Sequence, residues 1–349
     1  APARHNAGMR SFSVPFAAAL LLAVPVSAQI VPPPSAQPQT VDEALALAPA
    51  GTRFGVLVVD DQGREVLAIR PDDRFIPASN TKLFTTAAAY ALLAEKTDNA
   101  PGALVGLAER AGGAPNVILY GRGGAQLSSA ADCLRDCLAE LADSVAARTR
   151  RVGDVIGDDS WFPDQRWSPG MSWNNIGSDS GTAVSALSLD NNELPVAVAP
   201  AAEPGHPPLV EITPYQAVRN EAVTIAAGGK TRLGFDRAVN GTVLRIYGEI
   251  AAGAPPWRTR LGIDDPAHHA AWQLRRMLEA RGVKVDGTVR AIHRPAGLID
   301  DPKVEASAPG AVRDVRIPLP RAAFIGDHAG APLADTIRVV NKDSQNLYA

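Results

Sequence analysis

One serine, a lysine three residues further on and a second serine far along the chain could together perform acyl transfer. Ser79-Asn80-Thr81-Lys82 follows Pro77-Ala78 and opens an apolar run from Leu83 to Ala94. At the start of a helix, residues three apart lie on one face, one turn apart. A serine hydroxyl is a weak nucleophile until a base takes its proton, and a neutral lysine is such a base. Lysine's ordinary pKa of about 10.4 means that the amine must be desolvated or crowded by positive charge to play that part. A helix N-terminus at Ser79 would add N–H groups and a positive dipole end for a developing oxyanion. The bland reading is a serine N-cap followed by a solvated lysine, because roughly one such pair arises by chance in a few hundred residues. In this chain it is the only Ser-x-x-Lys.

Chemistry of this kind also needs a hydroxyl beside the lysine to relay the proton and an amide to hold the substrate backbone. Ser344-Gln345-Asn346 and Ser172-Trp173-Asn174 both offer that pattern, and spacing does not choose between them.

Several elements would position these groups. Thr40-Val41-Asp42-Glu43 reads as a capping box, continued by a short helix over Ala44 to Ala48. Phe54 to Val59 reads as a buried strand, Asp60 to Gly63 as a turn and Glu65 to Arg70 as a second strand. Asn116 to Tyr120 reads as a strand entering Gly121-Arg122-Gly123-Gly124. That loop lacks the last glycine and the acidic partner of a dinucleotide fingerprint, so a tight strand-to-helix turn is expected. Asp132 to Arg148 has helical periodicity, with Leu134, Leu138, Leu141 and Val145 on one side. Val152 to Ile156 reads as a strand ending in Gly157-Asp158-Asp159-Ser160-Trp161-Phe162, expected to be a structural loop anchored by Trp161 rather than a catalytic carboxylate pair. Helices are expected at Ala267 to Arg281 and at Pro332 to Lys342, the latter with Leu333, Ile337 and Val340 on one face.

The first residues describe export. Met9-Arg10 precedes an apolar stretch from Val14 to Val26, which ends in Val26-Ser27-Ala28. This is the pattern of a secretory signal peptide cut after Ala28, too short for an ordinary membrane span; the alternative is an uncleaved anchor. Ala1 to Gly8 would lie upstream of the start codon, and Gln29 to Gln39 is a Pro-rich tether. Cleavage removes Arg4 and Arg10 and makes a chain of net charge −3 more acidic, which argues against nucleic acid as a partner. An apolar content of 46% over 349 residues suits a globular protein of about two domains. Cys133 and Cys137 lie four apart on the expected helix, a poor geometry for a disulfide, so two core-facing thiols are expected. No His/Cys set has zinc spacing; His268 and His269 are adjacent and would point to different faces.

The hairpin, the Pro77-Ala78-Ser79-Asn80-Thr81-Lys82-Leu83 segment and Asn341-Lys342-Asp343-Ser344-Gln345-Asn346-Leu347-Tyr348-Ala349 resemble the peptidase S13 family, the class C low-molecular-weight penicillin-binding proteins. The Gly-rich loop, Gly157 to Phe162 and Ser185 to Glu193 extend the likeness over nearly all of Thr52 to Ala349. Gln345 stands where the family usually has aspartate, and Ala125-Gln126 where it has Asp-Pro. The resemblance selects Ser344 over Ser172. It implies an α/β (α+β) fold: a transpeptidase-like domain with an antiparallel sheet flanked by helices, interrupted by a large, mixed and β-rich inserted region. The expected division is signal peptide 1–28, tether 29–39, first transpeptidase-like part 40–98, inserted region 99–324 and second part 325–349.

The resemblance further implies a periplasmic serine-type D-Ala-D-Ala carboxypeptidase, possibly also an endopeptidase. Its substrate would be the peptidoglycan stem peptide, and β-lactams would be covalent inhibitors. Ser79 would be the nucleophile, Lys82 the base, Ser344 the proton relay and Asn346 the holder of the substrate amide, with neither metal nor organic cofactor. The alternatives are an inactive fragment or non-catalytic peptidoglycan-binding protein, and a β-lactamase or serine esterase of related fold. The family's third motif, Lys-Thr-Gly, lies downstream of the second. Lys230-Thr231-Arg232 lacks the glycine and His328-Ala329-Gly330 has the wrong order, so the chain is expected to be a fragment of a longer product.

Overall fold

The computed structural model describes residues 40–93, 101–301, 303 and 322–349. The signal peptide and tether expected over 1–39 lie outside them. The chain divides into two units, residues 1–76 and 77–349.

In the first unit the capping box forms at helix α1 (Val41–Ala46). Thr40 Oγ1 accepts from the Glu43 amide at 3.2 Å, and the Glu43 carboxylate accepts from the Thr40 amide. Strands β1 (Val56–Val59) and β2 (Glu65–Ile69) pair antiparallel as the hairpin pattern requires. Asp60 closes their turn by accepting from the amides of Gln62 and Arg64. The expectation that the first strand is buried is corrected: Leu57, Val58 and Val59 are exposed. The pair forms a two-stranded sheet among the described residues, and such a ribbon has too little area to enclose its own apolar face.

In the second unit, helix α2 (Thr81–Leu93) is followed by β3 (Pro101–Ala108) and β4 (Asn116–Gly121). Helix α3 (Leu138–Arg148), β5 (Arg151–Val152) and β6 (Val155–Pro163) come next. Strands β7 (Glu193–Ala199), β8 (Leu209–Ile212), β9 (Ala217–Ile225), β10 (Arg232–Asp236), β11 (Val243–Ala251) and β12 (Trp257–Gly262) form the β-rich middle. Helix α4 (Pro266–Ala280), β13 (Lys284–Val285), β14 (Val289–Arg294), β15 (Ala323–Ala329) and helix α5 (Leu333–Lys342) complete the order.

The largest sheet is mixed, in the order β14-β6-β4-β3-β15. β14 and β4 run parallel to β6, whereas β3 is antiparallel to β4 and β15. Helices α3 and α4 bury Leu138, Leu141, Val145, Leu274 and Leu278 against one face. Two three-stranded sheets, β12-β7-β8 and β10-β11-β9, enclose a second core of Leu194, Val196, Leu244, Ile246 and Leu261. The backbone of the Gly-rich loop approaches its neighbours closely. A Cβ on Gly121 would stand 2.3 Å from the Ala186 carbonyl oxygen, and one on Gly124 2.7 Å from Gly102 Cα. The loop leads into irregular chain rather than directly into a helix.

Three further expectations are corrected. The helix expected from Asp132 begins at Leu138, and Leu134 is 98% exposed. Asp136 has φ +54°, a left-handed backbone that cannot be part of a right-handed helix. That turn brings the Cys133 and Cys137 Cα atoms to 5.7 Å, and the two form a disulfide rather than two thiols. The expected Gly157–Phe162 loop is instead the body of strand β6. Trp161 anchors nothing in the core; it is 51% exposed and stacks under the Arg122 guanidinium at 4.3 Å.

Candidate active site

Ser79 lies in a single 3-10 turn (Ala78–Asn80) that runs into α2. The preceding Ala78 has φ +46°, a left-handed conformation that costs a non-glycine residue about 1–2 kcal/mol. It turns the incoming chain so that Ser79 begins the first turn, with Lys82 one turn on and Thr86 one turn beyond. These three share a face, and Lys82 and Thr86 are the buried residues of α2. The partner is α5. That helix packs Leu333, Ile337 and Val340 inward, with Val340 1% exposed, and reaches its C-cap at Asp343. Ser344 follows at φ +56°, in the left-handed position that commonly ends a helix. Glycine is the usual occupant there; a serine gives the turn a hydroxyl.

The turn carries Ser344 to α2. Lys82 Nζ lies 3.0 Å from Ser79 Oγ and 3.3 Å from Ser344 Oγ, and Ser344 Oγ donates to Ser79 Oγ at 2.9 Å. The three groups named from spacing and resemblance thus form a closed triangle. Lys82 has no carboxylate within ion-pair distance among the described residues, and burial lowers its pKa from the ordinary 10.5. Desolvation penalises the ammonium form, so the amine is shifted towards the neutral state in which it can accept a proton.

Asn346 stands two residues beyond Ser344, and its Nδ2 donates to the Ser180 carbonyl at 2.8 Å. The Gln345 Oε1 accepts from the Leu347 amide, and the Gln345 side chain also bonds to Glu193. The Tyr348 hydroxyl donates to Asn191 Oδ1.

Sequence reasoning assigned no role to Thr86, Asn341, Ser180, Asn191 or Glu193. The Thr86 hydroxyl and the Asn341 amide meet at 3.3 Å and tie α2 to α5 three residues before Ser344. The signal for Thr86 was available, because it continues the 79, 82 series on one helical face. Asn191 carries a different mark: Asp190, Asn191 and Asn192 all have positive φ. Asx residues tolerate that region best, and a run of three of them is the sequence signature. Asn192 fills the turn by accepting from the Leu189 amide and donating to the Ala183 carbonyl.

The Asp158-Asp159 pair is structural. Asp158 accepts from the amide and hydroxyl of Ser160, and Asp159 accepts from Ser185 and pairs with His293 at 2.8 Å. Asp265 flanks the other ring nitrogen of His293 at 3.3 Å, and the hydrogen bonds that the ring donates to the Asp159 and Asp265 carboxylates lift the His293 pKa to about 10.

Residues 37–307 match the sequence profile of the D-Ala-D-Ala carboxypeptidase 3 (S13) family. A D-alanyl-D-alanine carboxypeptidase of Actinomadura sp. (strain R39) is 32% identical over 317 residues, which are 86% of this chain and 53% of that protein. The chain therefore spans about half the length of this relative. Among solved structures, penicillin binding protein 4 from Haemophilus influenzae superposes with a TM-score of 0.64 at 18% identity, over 86% of this chain and 61% of the other. The same protein complexed with a β-lactam superposes with a TM-score of 0.57 at 17% identity. At these identities the likeness is one of fold, and it agrees with the mixed α/β architecture described above.

Proposed function

The chain belongs to the D-Ala-D-Ala carboxypeptidase 3 (S13) family, and on that footing we propose that it acts as a serine-type D-Ala-D-Ala carboxypeptidase on peptidoglycan stem peptides, through an acyl-enzyme on Ser79, with endopeptidase action left open as a second activity. The observation that carries this reading is the 2.9–3.3 Å triangle of Ser79, Lys82 and Ser344 around a desolvated amine. Neutral Lys82 takes the Ser79 proton as Oγ attacks the carbonyl between the two D-alanines of a stem peptide. Ser344 passes a proton to the leaving amine as the C–N bond breaks. An ester on Ser79 remains, and water hydrolyses it to restore the hydroxyl. The Asn346 amide oxygen accepts from the substrate backbone. β-Lactams acylate Ser79 in the same way.

The transpeptidase-like parts are assigned to 40–98 and 325–349, with 99–324 as the inserted region. Strand β15 pairs with β3 from Ala323 to Ala329, which favours carrying the inserted region on to residue 329. Export is assigned to the first 28 residues and the working site to the periplasm. No described helix is long and apolar enough to cross a membrane.

Fluorescent penicillin tests the reading on this chain and on Ser79→Ala. A persistent label that disappears on substitution is expected. A label that survives Ser79→Ala removes Ser79 from the chemistry. Rapid penicillin turnover points to a β-lactamase, and no labelling of a folded sample overturns the enzyme reading for this chain.

A further inference from the structure

Helix α4 places two polar groups without partners against the β-rich middle. His269 is 3% exposed and its Nδ1 has no hydrogen-bond partner; one turn further on, the Gln273 Oε1 has none either. Buried polar atoms are nearly always satisfied, so an unfilled pair four residues apart on one helix face calls for an explanation. Both residues line a hollow of about 690 Å³. Burial drives the His269 pKa down to about 4, so at neutral pH the ring offers hydrogen-bonding atoms rather than a charge.

The hollow continues past Pro195, Thr213, Arg260 and Arg276 into a second one of about 730 Å³ on the polar face of the β12-β7-β8 sheet. Arg258 adds a third guanidinium there. Arg260 is paired with Glu193 at 3.4 Å. Arg258 and Arg276 are exposed and have no ion pair among the described residues; Arg276 lies over the Trp272 ring at 4.9 Å. One end of the groove is walled by Tyr348, four residues past Ser344 and bonded to Asn191. The groove therefore runs from the edge of the catalytic segment to a pair of uncommitted arginines.

We propose that this groove is a subsite for an extended acidic peptide, in which Arg258 and Arg276 hold a carboxylate while His269 and Gln273 meet peptide amide groups. Guanidinium forks suit planar carboxylates. Glu193 and Glu211 on the walls oppose a polyanion, which favours a singly charged acid flanked by amides over a phosphate polymer. The Gln273 Oε1 and His269 Nδ1 atoms are sealed from solvent in the empty groove, so a peptide amide meets them once these side chains turn towards it. The proposal rests on the peptidase reading only in taking the bound peptide to be the same molecule that reaches Ser79.

Calorimetric titration of this chain with N-acetyl-Gly-Glu-Gly-amide and its Gln counterpart, each in both enantiomeric forms, tests it. The acidic peptide should bind at least about tenfold tighter at low salt, the effect of a charge-assisted contact. Arg258→Gln/Arg276→Gln should remove most of that preference. Each single variant, with thermal melting as the folding control, serves if the double variant does not fold. Equal affinity for acid and amide in both forms, or a preference that survives loss of both arginines, overturns the proposal. Penicillin labelling of the wild-type sample is scored separately. Labelling without acid preference removes the subsite alone, and acid preference without labelling removes the peptidase reading alone.

Discussion

The Thr86–Asn341 bond offers a sharp test, because it lies beside the chemistry without taking part in it. Asn341→Ala removes one partner and leaves the Thr86 hydroxyl with only the Leu83 carbonyl, at 3.3 Å. A neutral hydrogen bond contributes about 0.5–1.5 kcal/mol net, so stability should fall by about 1 kcal/mol. The rate should fall further. Asn341 lies three residues before Ser344, and the Ser344 hydroxyl must stay within 2.9–3.3 Å of both Ser79 and Lys82. A displacement of about 1 Å at such a site costs on the order of a hundredfold. The assay is the rate constant of penicillin acylation in Asn341→Ala, Thr86→Val and the double variant, with affinity for the unreacted drug measured separately. The two single losses should overlap, with a coupling energy of about 1 kcal/mol and the affinity little changed. Additivity within about 0.3–0.5 kcal/mol would mean that the bond does not hold the two helices in register, and the argument would fail.

Two further outcomes follow from charges in the β-rich part. His293 has a folded pKa of about 10 against an ordinary 6.5, so its stabilising contribution is complete below pH 6.5 and is lost as pH rises towards 10. Thermal melts of His293→Asn should therefore show a large deficit near pH 6 that shrinks at pH 10; a deficit independent of pH refutes the doubly paired imidazolium. Arg237 and Asp264 form an ion pair with side chains 2% and 5% exposed, and Asp264 also accepts from the Gly241-preceding amide of Asn240. Asp264→Ala strands a buried guanidinium and should cost about 3–5 kcal/mol in urea unfolding, whereas a loss below about 1 kcal/mol would show that water reaches the site.

What the sequence disclosed follows the range of the interactions involved. The capping box at Thr40, strand β4, helix α4 and the inward face of α5 are set by residues within a turn or a strand of one another, and each was legible. The closeness of Ser79 and Lys82 was legible for the same reason. Ser344 was not separable from Ser172 by spacing; the resemblance of the flanking residues chose it, because the contact with Lys82 spans most of the chain. Leu134 suited helical periodicity yet is exposed, because one left-handed residue, Asp136, breaks the register and lets Cys133 reach Cys137. Periodicity has no term for that. The supporting contacts of Glu193, Asn191 and Ser180 with the Ser344–Tyr348 segment join elements far apart in sequence, and no local pattern encodes them.

Helix α2 buries Lys82 and Thr86 and leaves Leu83, Phe84, Tyr90 and Leu92 exposed. Among the described residues the buried Lys82 has only the hydroxyls of Ser79 and Ser344 as hydrogen-bond partners, and an acid beside it would restore the ammonium form. Thr86→Asp applies that logic directly by placing a carboxylate one turn from Lys82, on the same face. The attraction raises the lysine pKa, which burial now lowers, so the neutral fraction at pH 7–8 falls and acylation should drop steeply, with its pH–rate profile displaced upwards. Thr86→Asn is the control, because it perturbs the contact with Asn341 without adding charge. A Thr86→Asp variant that acylates with the same pH profile as Thr86→Asn would show that Lys82 does not need to be neutral, and would remove it as the base.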